Sequence, residues 1–266
     1  FRNFLFVELN KLDVLGRIFV ASEGINAQLS LPSKNIEKLK NLIDNITFLN
    51  KVRLNIAVEH DDESFLKLKI KIRDKIVADG LKEHEYDLEK NGEHVNAERF
   101  NSLLEDKNTI TVDMRNHYES EIGHFKGAEL PDVDTFRESL PIINDKYKNQ
   151  KTKKNILMYC TGGIRCEKAS AYLIKNGYKN VYQLEGGIIE YARQIKKYDI
   201  ENKFVGKNFV FDNRLSERIS EKIISFCHQC DKKCDNHVNC NNEACHLLFL
   251  QCEKCYEKYS GCCCSE

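Results

Sequence analysis

Apolar residues recur along this chain at helical and at strand spacings, and the changes of spacing mark out its parts. Leu5, Leu9 and Leu12 share one helical face, with Gly16 as the expected stop. Residues 18–21 and 27–31 are short apolar runs on either side of Glu23-Gly24-Ile25-Asn26, which predicts two strands joined by a turn. Ser33 is placed to cap a second helix reaching Ile43, with Ile36, Leu39, Leu42 and Ile43 on its inward stripe. Further strands are expected at 52–58 and 65–72. Helix, two strands, helix and strand make a ferredoxin-like (acylphosphatase-like) α+β domain over residues 1–80 that lacks its first strand, with the 65–72 strand as an addition. The chain starts at Phe1 without an initiator Met, consistent with a start that has lost that strand.

Residues 81–95 are polar and charged, contain Gly92, and read as a linker. From 96 to 205 the pattern alternates. Asn96 can cap a helix through Leu104, strands are expected at 109–112, 156–159 and 181–184, and helical stretches lie between them. Such alternation predicts an α/β domain on a parallel sheet, in which reactive groups sit at the carboxyl ends of strands. Asp113 and Cys160 both occupy such ends. The stretch Gly123-His124-Phe125-Lys126-Gly127-Ala128 reads as a turn, and Gly186-Gly187 as a tight strand-to-helix turn. Residues 206–266 form a connector followed by a Cys-rich region.

Charge adds little: Lys+Arg and Asp+Glu balance at 41 each, so nucleic-acid binding has to come from local patches. One patch is visible. Residues 66–73 alternate strictly, with Lys67, Lys69, Lys71 and Arg73 on one face; this is either a solvated sheet face with guarded edges or a rail for a phosphate backbone. No run approaches the roughly 20 apolar residues that span a bilayer, and nothing present resembles a signal peptide. Two of the 12 cysteines, Cys160 and Cys166, stand apart, and the rest fall between 227 and 264. That distribution points to a reducing cytoplasm and a terminal metal knot rather than a secreted disulfide scaffold.

The apolar run 155–159 leads into Cys160-Thr161-Gly162-Gly163-Ile164-Arg165, and a helical stretch follows up to the stop at Asn176-Gly177. A Cys at a strand end, before a Gly-rich turn into a helix N-terminus, faces converging backbone N–H groups that favour its thiolate. Gly162 and Gly163 shape the turn, and Arg165 adds a fixed positive charge. Asp113 and Arg115 are placed to steady this loop, Asp113 by pairing with Arg165. Cys166 is either packing or a resolving thiol. Lys168 reads as an exposed helix residue, and His117 and His124 as turn formers or titrating groups.

In the terminal region Cys227-x2-Cys230 and Cys252-x2-Cys255 are knuckle pairs with the spacing of one tetrahedral S4 zinc site. Cys234, Cys240 and Cys245 lie between them, and Cys262, Cys263, Cys264, His228, His237 and His246 offer further ligands, so a second zinc is expected, with its ligands either separate from those of the first or interleaved with them. Zinc as a staple is the main reading and an iron–sulfur cluster the alternative. No Gly-x-Gly-x-x-Gly fingerprint or Walker loop is present, so flavin and nicotinamide motifs are missing.

The loop Cys160–Arg165 resembles the persulfide-forming Cys-x-x-Gly-x-Arg loop of the rhodanese superfamily. Residues 112–115, 123–128 and 184–188 resemble its other blocks, although Tyr191 stands where many rhodaneses have Trp. With Ala21-Ser22-Glu23-Gly24-Ile25-Asn26 and residues 69–77, the likeness extends over nearly the whole chain to the rhodanese-like tRNA uridine hydroxylases, which join an N-terminal ferredoxin-like domain to a rhodanese domain and often end in a Cys-rich tail. The resemblance implies oxygen-dependent 5-hydroxylation of the wobble uridine in the tRNA anticodon arm, with molecular oxygen as co-substrate and Cys160 as a persulfide or reactive thiolate. The residues alone leave two other classes open. One is a sulfurtransferase carrying a Cys160 persulfide, and the other a zinc-stapled RNA or protein adaptor.

Overall fold

Leu5 and Leu9 are buried on α1 (Arg2–Asn10), as their spacing requires, and they pack on a sheet through Ile18 and Ile70. The computed structural model describes residues 1–50, 52–57 and 64–264. They form two units: residues 1–78 with 211–214, and residues 79–210 with 215–266.

In the first unit β1 (Leu15–Ala21) and β2 (Gly24–Ser30) form a hairpin, α2 (Ile36–Asp44) follows, and β3 (Leu68–Ile72) joins the far side of β1 in parallel. The sheet order is β2-β1-β3. Gly16 is not the helix stop. The helix ends at Lys11, with Asp13 in the left-handed region at φ 55°, and Gly16 lies inside β1. A Cβ on Gly16 would stand 2.2 Å from the Gln28 carbonyl, so the hairpin needs glycine there. Ser33 opens a short 3-10 turn and makes no side-chain cap. Of the strand expected at 52–58, Val58 lies outside the described residues and 52–57 are irregular, with Val52, Leu54 and Ile56 exposed. A strand exists only through its ladder, and among the described residues no partner is presented to this segment. Glu23 and Asn26 both grip the Ile76 backbone: the Ile76 N–H donates to Glu23 at 2.8 Å, and Asn26 Nδ2 donates to the Ile76 carbonyl at 3.2 Å.

The second unit begins with β4 (Glu93–Val95), α3 (Ala97–Glu105), β5 (Thr109–Asp113), α4 (His117–Glu121) and β6 (Gly123–Phe125). Next come α5 (Phe136–Lys146), β7 (Asn155–Tyr159), α6 (Ile164–Lys175), β8 (Asn180–Leu184) and α7 (Gly187–Tyr198). A parallel sheet of order β4-β8-β7-β5 forms its centre. The helices pack in pairs, α3 with α7 and α5 with α6. Strand β7 is buried nearly throughout, as a central parallel strand must be. Asn96 caps α3 by accepting from the Arg99 N–H at 2.9 Å. Residues 93–95, within the stretch read as a linker, are the sheet's edge strand.

Gly123–Phe125 is a strand rather than a turn, because β9 (Phe204–Phe209) pairs with it, and β10 (Ser216–Arg218) extends that sheet. A hairpin of β11 (His237–Asn239) and β12 (Leu248–Leu250), then α8 (Glu253–Tyr259), carries the cysteine-rich end. Tyr191 is fully buried and uses its hydroxyl as an indole could not: it donates to Asn101 Oδ1 at 3.0 Å and accepts from the Lys203 N–H at 2.9 Å.

Candidate active site

Cys160 follows directly on β7, and Gly163 turns the chain into α6 with φ 98°. The sulfur is 1% exposed and accepts the Gly163 N–H at 3.1 Å. Burial alone would push this thiol up. The Cys166 thiol, the Arg165 charge and the N–H groups of Cys166 and Arg165 outweigh it and bring Cys160 down to about 6. Cys166 is buried too and is pushed well above its ordinary value, by desolvation first and then by donating to Cys160. At neutral pH the pair is one thiolate and one thiol. The expected consequence is a Cys160 alkylation rate that climbs through a midpoint near pH 6, rather than near the ordinary 9.0. Below the midpoint the sulfur is a thiol and unreactive. Rapid-quench labelling with iodoacetamide and peptide mass spectrometry measures this; burial slows the absolute rate but leaves the midpoint in place.

The carbonyl side of the loop is held by the start of α7. The Ile188 and Ile189 N–H groups donate to the Cys160 and Thr161 carbonyls at 3.0 and 3.2 Å. A Cβ on Gly187 would lie 2.5 Å from the Cys160 carbonyl, so Gly186-Gly187 permits this close approach.

Asp113 does not pair with Arg165. It takes the neighbouring Arg115 instead, through Nε at 2.9 Å and Nη2 at 2.6 Å, and Arg115 also donates to the Gly123 carbonyl at 2.6 Å. Both side chains are wholly buried. Burial opposes the guanidinium charge, and Asp113 more than restores it. The pair therefore ties β5 to β6 beside the loop, a supporting role.

Arg165 is clamped by Glu119, with Nη1 at 2.5 Å and Nη2 at 2.8 Å from the two carboxylate oxygens. Glu119 is fully buried and also accepts the Asn116 N–H at 3.0 Å, which closes a capping box on α4. Sequence reasoning missed Glu119, although the Asn116-x-x-Glu119 spacing is a capping-box signature. Lys168 is buried rather than exposed: its Nζ lies 3.4 Å from Asp79 and 4.1 Å above the Tyr86 ring. Glu167 meanwhile holds Asn91 at 2.6 Å and His94 at 2.7 Å, so α6 anchors residues on either side of Gly92. His117 and His124 bond to the nearby carbonyls of Val133 and Ser120.

The cysteine-rich end resolves into two sulfur groups. Cys227, Cys230, Cys252 and Cys255 converge with all sulfurs within 4.8 Å of one another, and so do Cys240, Cys245 and Cys263. Cys230 and Cys252 are 3.7 Å apart, as are Cys245 and Cys263. Zinc–sulfur bonds of about 2.3 Å give a tetrahedral edge near 3.8 Å, so both groups have the dimensions of a thiolate metal site. None of the twelve cysteines is in a disulfide. Cys234 and Cys262 stand outside both groups, Cys263 stands inside one, and Cys264 is 3.9 Å from Cys263. This region touches the loop's supports. His228, next to Cys227, bonds Glu121 of α4 at 2.7 Å, and Thr161 Oγ1 donates to the Phe209 carbonyl at 3.4 Å. The Phe209 ring packs between Tyr118 and His237.

Lys67, Lys69, Lys71 and Arg73 lie on and beside β3 in the first unit, whereas every residue of the cysteine loop belongs to the second. No helix among the described residues is long and apolar enough to cross a membrane.

Comparison with known proteins covers the chain almost completely. Residues 1–76 match the model of the UPF0176 acylphosphatase like domain, 96–194 that of the Rhodanese-like domain, and 205–266 that of the Rhodanase C-terminal. A protein of Photorhabdus laumondii named tRNA uridine(34) hydroxylase is 54% identical over 264 residues, which is 99% of this chain and 75% of that protein. Proteins of the same name from Leptospira interrogans and Pectobacterium atrosepticum are 56% and 52% identical, over 98% and 99% of this chain and 71% and 74% of their own lengths.

Proposed function

Because the chain belongs to the tRNA uridine(34) hydroxylase family, we propose that it is the enzyme that hydroxylates C5 of the wobble uridine, with Cys160 as its reactive group. The observation that carries this reading is 54% identity across 99% of the chain, with the Cys160 loop inside the match.

The chemistry suits a thiolate. Addition of Cys160 sulfur to C6 of uracil converts the C5–C6 double bond into an enolate whose nucleophilic carbon is C5. C5 then takes one oxygen atom, and loss of its proton with expulsion of the thiolate from C6 restores the ring. The net reaction consumes uridine, molecular oxygen, two electrons and two protons, and yields 5-hydroxyuridine and water; the electrons come from an external reductant. Arg165 holds positive charge against the thiolate, and Glu119 holds Arg165. Gly162 and Gly163 give the loop its shape, while Asp113 and Arg115 brace the strand beside it.

Zinc fits the sulfur groups as a staple, which when bound would cross-link the ends of a region with little apolar core of its own. Cys227, Cys230, Cys252 and Cys255 would hold one ion, and Cys240, Cys245 and Cys263 another together with Cys262 or Cys264. Residues 1–80 serve RNA binding through Lys67, Lys69, Lys71 and Arg73, which meet the anticodon arm; 81–95 strap onto the catalytic domain at 96–205; and 206–266 brace it. We infer a reducing cytoplasm as its compartment, a reading supported by the proposed tRNA substrate and by cysteines better suited to metal and thiolate chemistry than to disulfides.

Nucleoside mass spectrometry of tRNA from cells lacking this protein tests the reading. Loss of 5-hydroxyuridine and its derivatives, with thiolated nucleosides unchanged, is expected. Loss of thiolated nucleosides alone would replace the hydroxylase by a sulfurtransferase.

A further inference from the structure

The first unit carries a sheet face whose composition goes beyond the row of lysines. Side chains at paired positions of neighbouring strands point to the same side of a sheet. In the register here Arg17 of β1 sits between Gln28 of β2 and Lys69 of β3, and Phe19 sits between Asn26 and Lys71. Ile18 and Ile70 alternate with them and are buried in the core beneath α1 and α2. Arg17, Phe19, Lys69 and Lys71 therefore share the opposite face. The Arg73 N–H still bonds to the Val20 carbonyl at 2.9 Å, so Arg73 extends the row, and its guanidinium carbon stands 5.7 Å from the centre of the Phe19 ring.

Two observations mark this face as a binding surface. Its cations have no carboxylate partners: among the described residues no ion pair involves Arg17, Lys69, Lys71 or Arg73, in a chain whose charges balance at 41 each. Lys71 feels the crowding, since Lys69 first, then Arg73 and Arg17, make its proton easier to lose. The second observation is Phe19, half-buried on the middle strand, on the face opposite the core that Ile18 and Ile70 fill, where core packing does not call for an aromatic ring. A polyanion without bases would use the cations alone. A folded acidic protein would not need a flat ring ringed by cations, whereas an unpaired base stacks on such a ring while its flanking phosphates meet the charges.

We propose that this face is a platform for a single-stranded stretch of RNA, with one base stacked on Phe19 and neighbouring phosphates on Arg17, Lys69, Lys71 and Arg73. Residues two apart on a strand are about 6.6 Å apart, so Lys67, Lys69 and Lys71 form a regular ladder along which a backbone can lie. The inference rests on the tRNA reading and adds to it the part of the substrate that this domain holds: an unpaired segment, gripped through a base and not only through charge.

The chain contains no tryptophan, so Phe19→Trp creates a single fluorescent reporter at the point of interest. Titration of that full-length variant with an unmodified tRNA transcript bearing U34 should change the emission in step with binding. Phe19→Leu should weaken binding of the same transcript about 5- to 150-fold, the range that base–aromatic stacking commands, with the salt dependence unchanged, and Phe19→Tyr should retain wild-type affinity. Lys67→Gln, Lys69→Gln and Lys71→Gln together should instead flatten the slope of log K against log salt by about 2. If Phe19→Leu binds like wild type, or the tryptophan emission ignores saturating RNA, the platform is overturned while the altered salt slope leaves tRNA binding standing. If the lysine variant and the Phe19 variants all bind as wild type does, the face takes no part. A protein that binds no tRNA at all would overturn the reading beneath it as well.

Discussion

Glu119→Ala is expected to destabilise the second unit by about 3–5 kcal/mol, because it leaves the Arg165 guanidinium buried without its carboxylate. For a unit of this size that is a fall in melting temperature of about 6–20 °C, measurable by calorimetry on the full chain. Glu119→Gln separates stability from chemistry. Its amide oxygen still accepts from Arg165, but the anion is gone, so the guanidinium charge acts on the Cys160 thiolate with less compensation. The alkylation midpoint should therefore move down from about 6. A midpoint that rises would mean that Arg165 leaves the sulfur once the carboxylate charge is removed, and the electrostatic role given to Arg165 would fall with it. An unchanged melting temperature in Glu119→Ala would show that the clamp adds nothing to stability.

Cys160→Ser is expected to reduce 5-hydroxyuridine formation by on the order of 10^4-fold or more, the scale of loss when an enzyme's nucleophile is removed. The substitution is nearly isosteric in a site that is 1% exposed, so the fold should survive and the melting curve should stay near that of the wild type. The reason for the loss is ionisation. The environment that brings a thiol to about 6 cannot bring a serine hydroxyl into the neutral range. Binding of tRNA by Cys160→Ser at wild-type affinity, together with absent product, would place the defect in the chemical step. Full hydroxylation by this variant would eliminate thiolate addition to uracil as the route.

Three strands of the parallel sheet, β5, β7 and β8, were legible because each carries its own apolar run, whereas the edge strand β4, Glu93-His94-Val95, has none and reads as linker. The first metal group was legible for the same reason, since two Cys-x2-Cys pairs declare themselves locally. What stayed hidden was pairing at a distance. Glu119 and Arg165 are 46 residues apart, and nothing near Arg165 favours Glu119 over Asp113. The structure prefers Arg115 for Asp113 because the neighbour two residues on presents a fork that fits the carboxylate on both oxygens. Lys168 looked like a surface residue because a lysine has no reason to be buried until Asp79 and Tyr86 are placed beside it. Residues 52–57 of the strand expected at 52–58 differ for another reason: alternation states a preference that only a neighbouring strand can satisfy, and among the described residues none pairs with them. For the second sulfur group, the three consecutive cysteines Cys262, Cys263 and Cys264 make equal claims from spacing alone, and only the fold puts Cys263 beside Cys240 and Cys245.

The bond from His228 to Glu121 joins the first knuckle of the sulfur knot to the helix whose buried Glu119 clamps Arg165. Through that bond the terminal knot and the reactive loop share a mechanical path: Cys227 and His228 lean on Glu121, α4 carries Glu119, and Glu119 fixes the arginine facing the sulfur. Whatever loosens the knot at its first knuckle would be felt, three contacts on, at the thiolate.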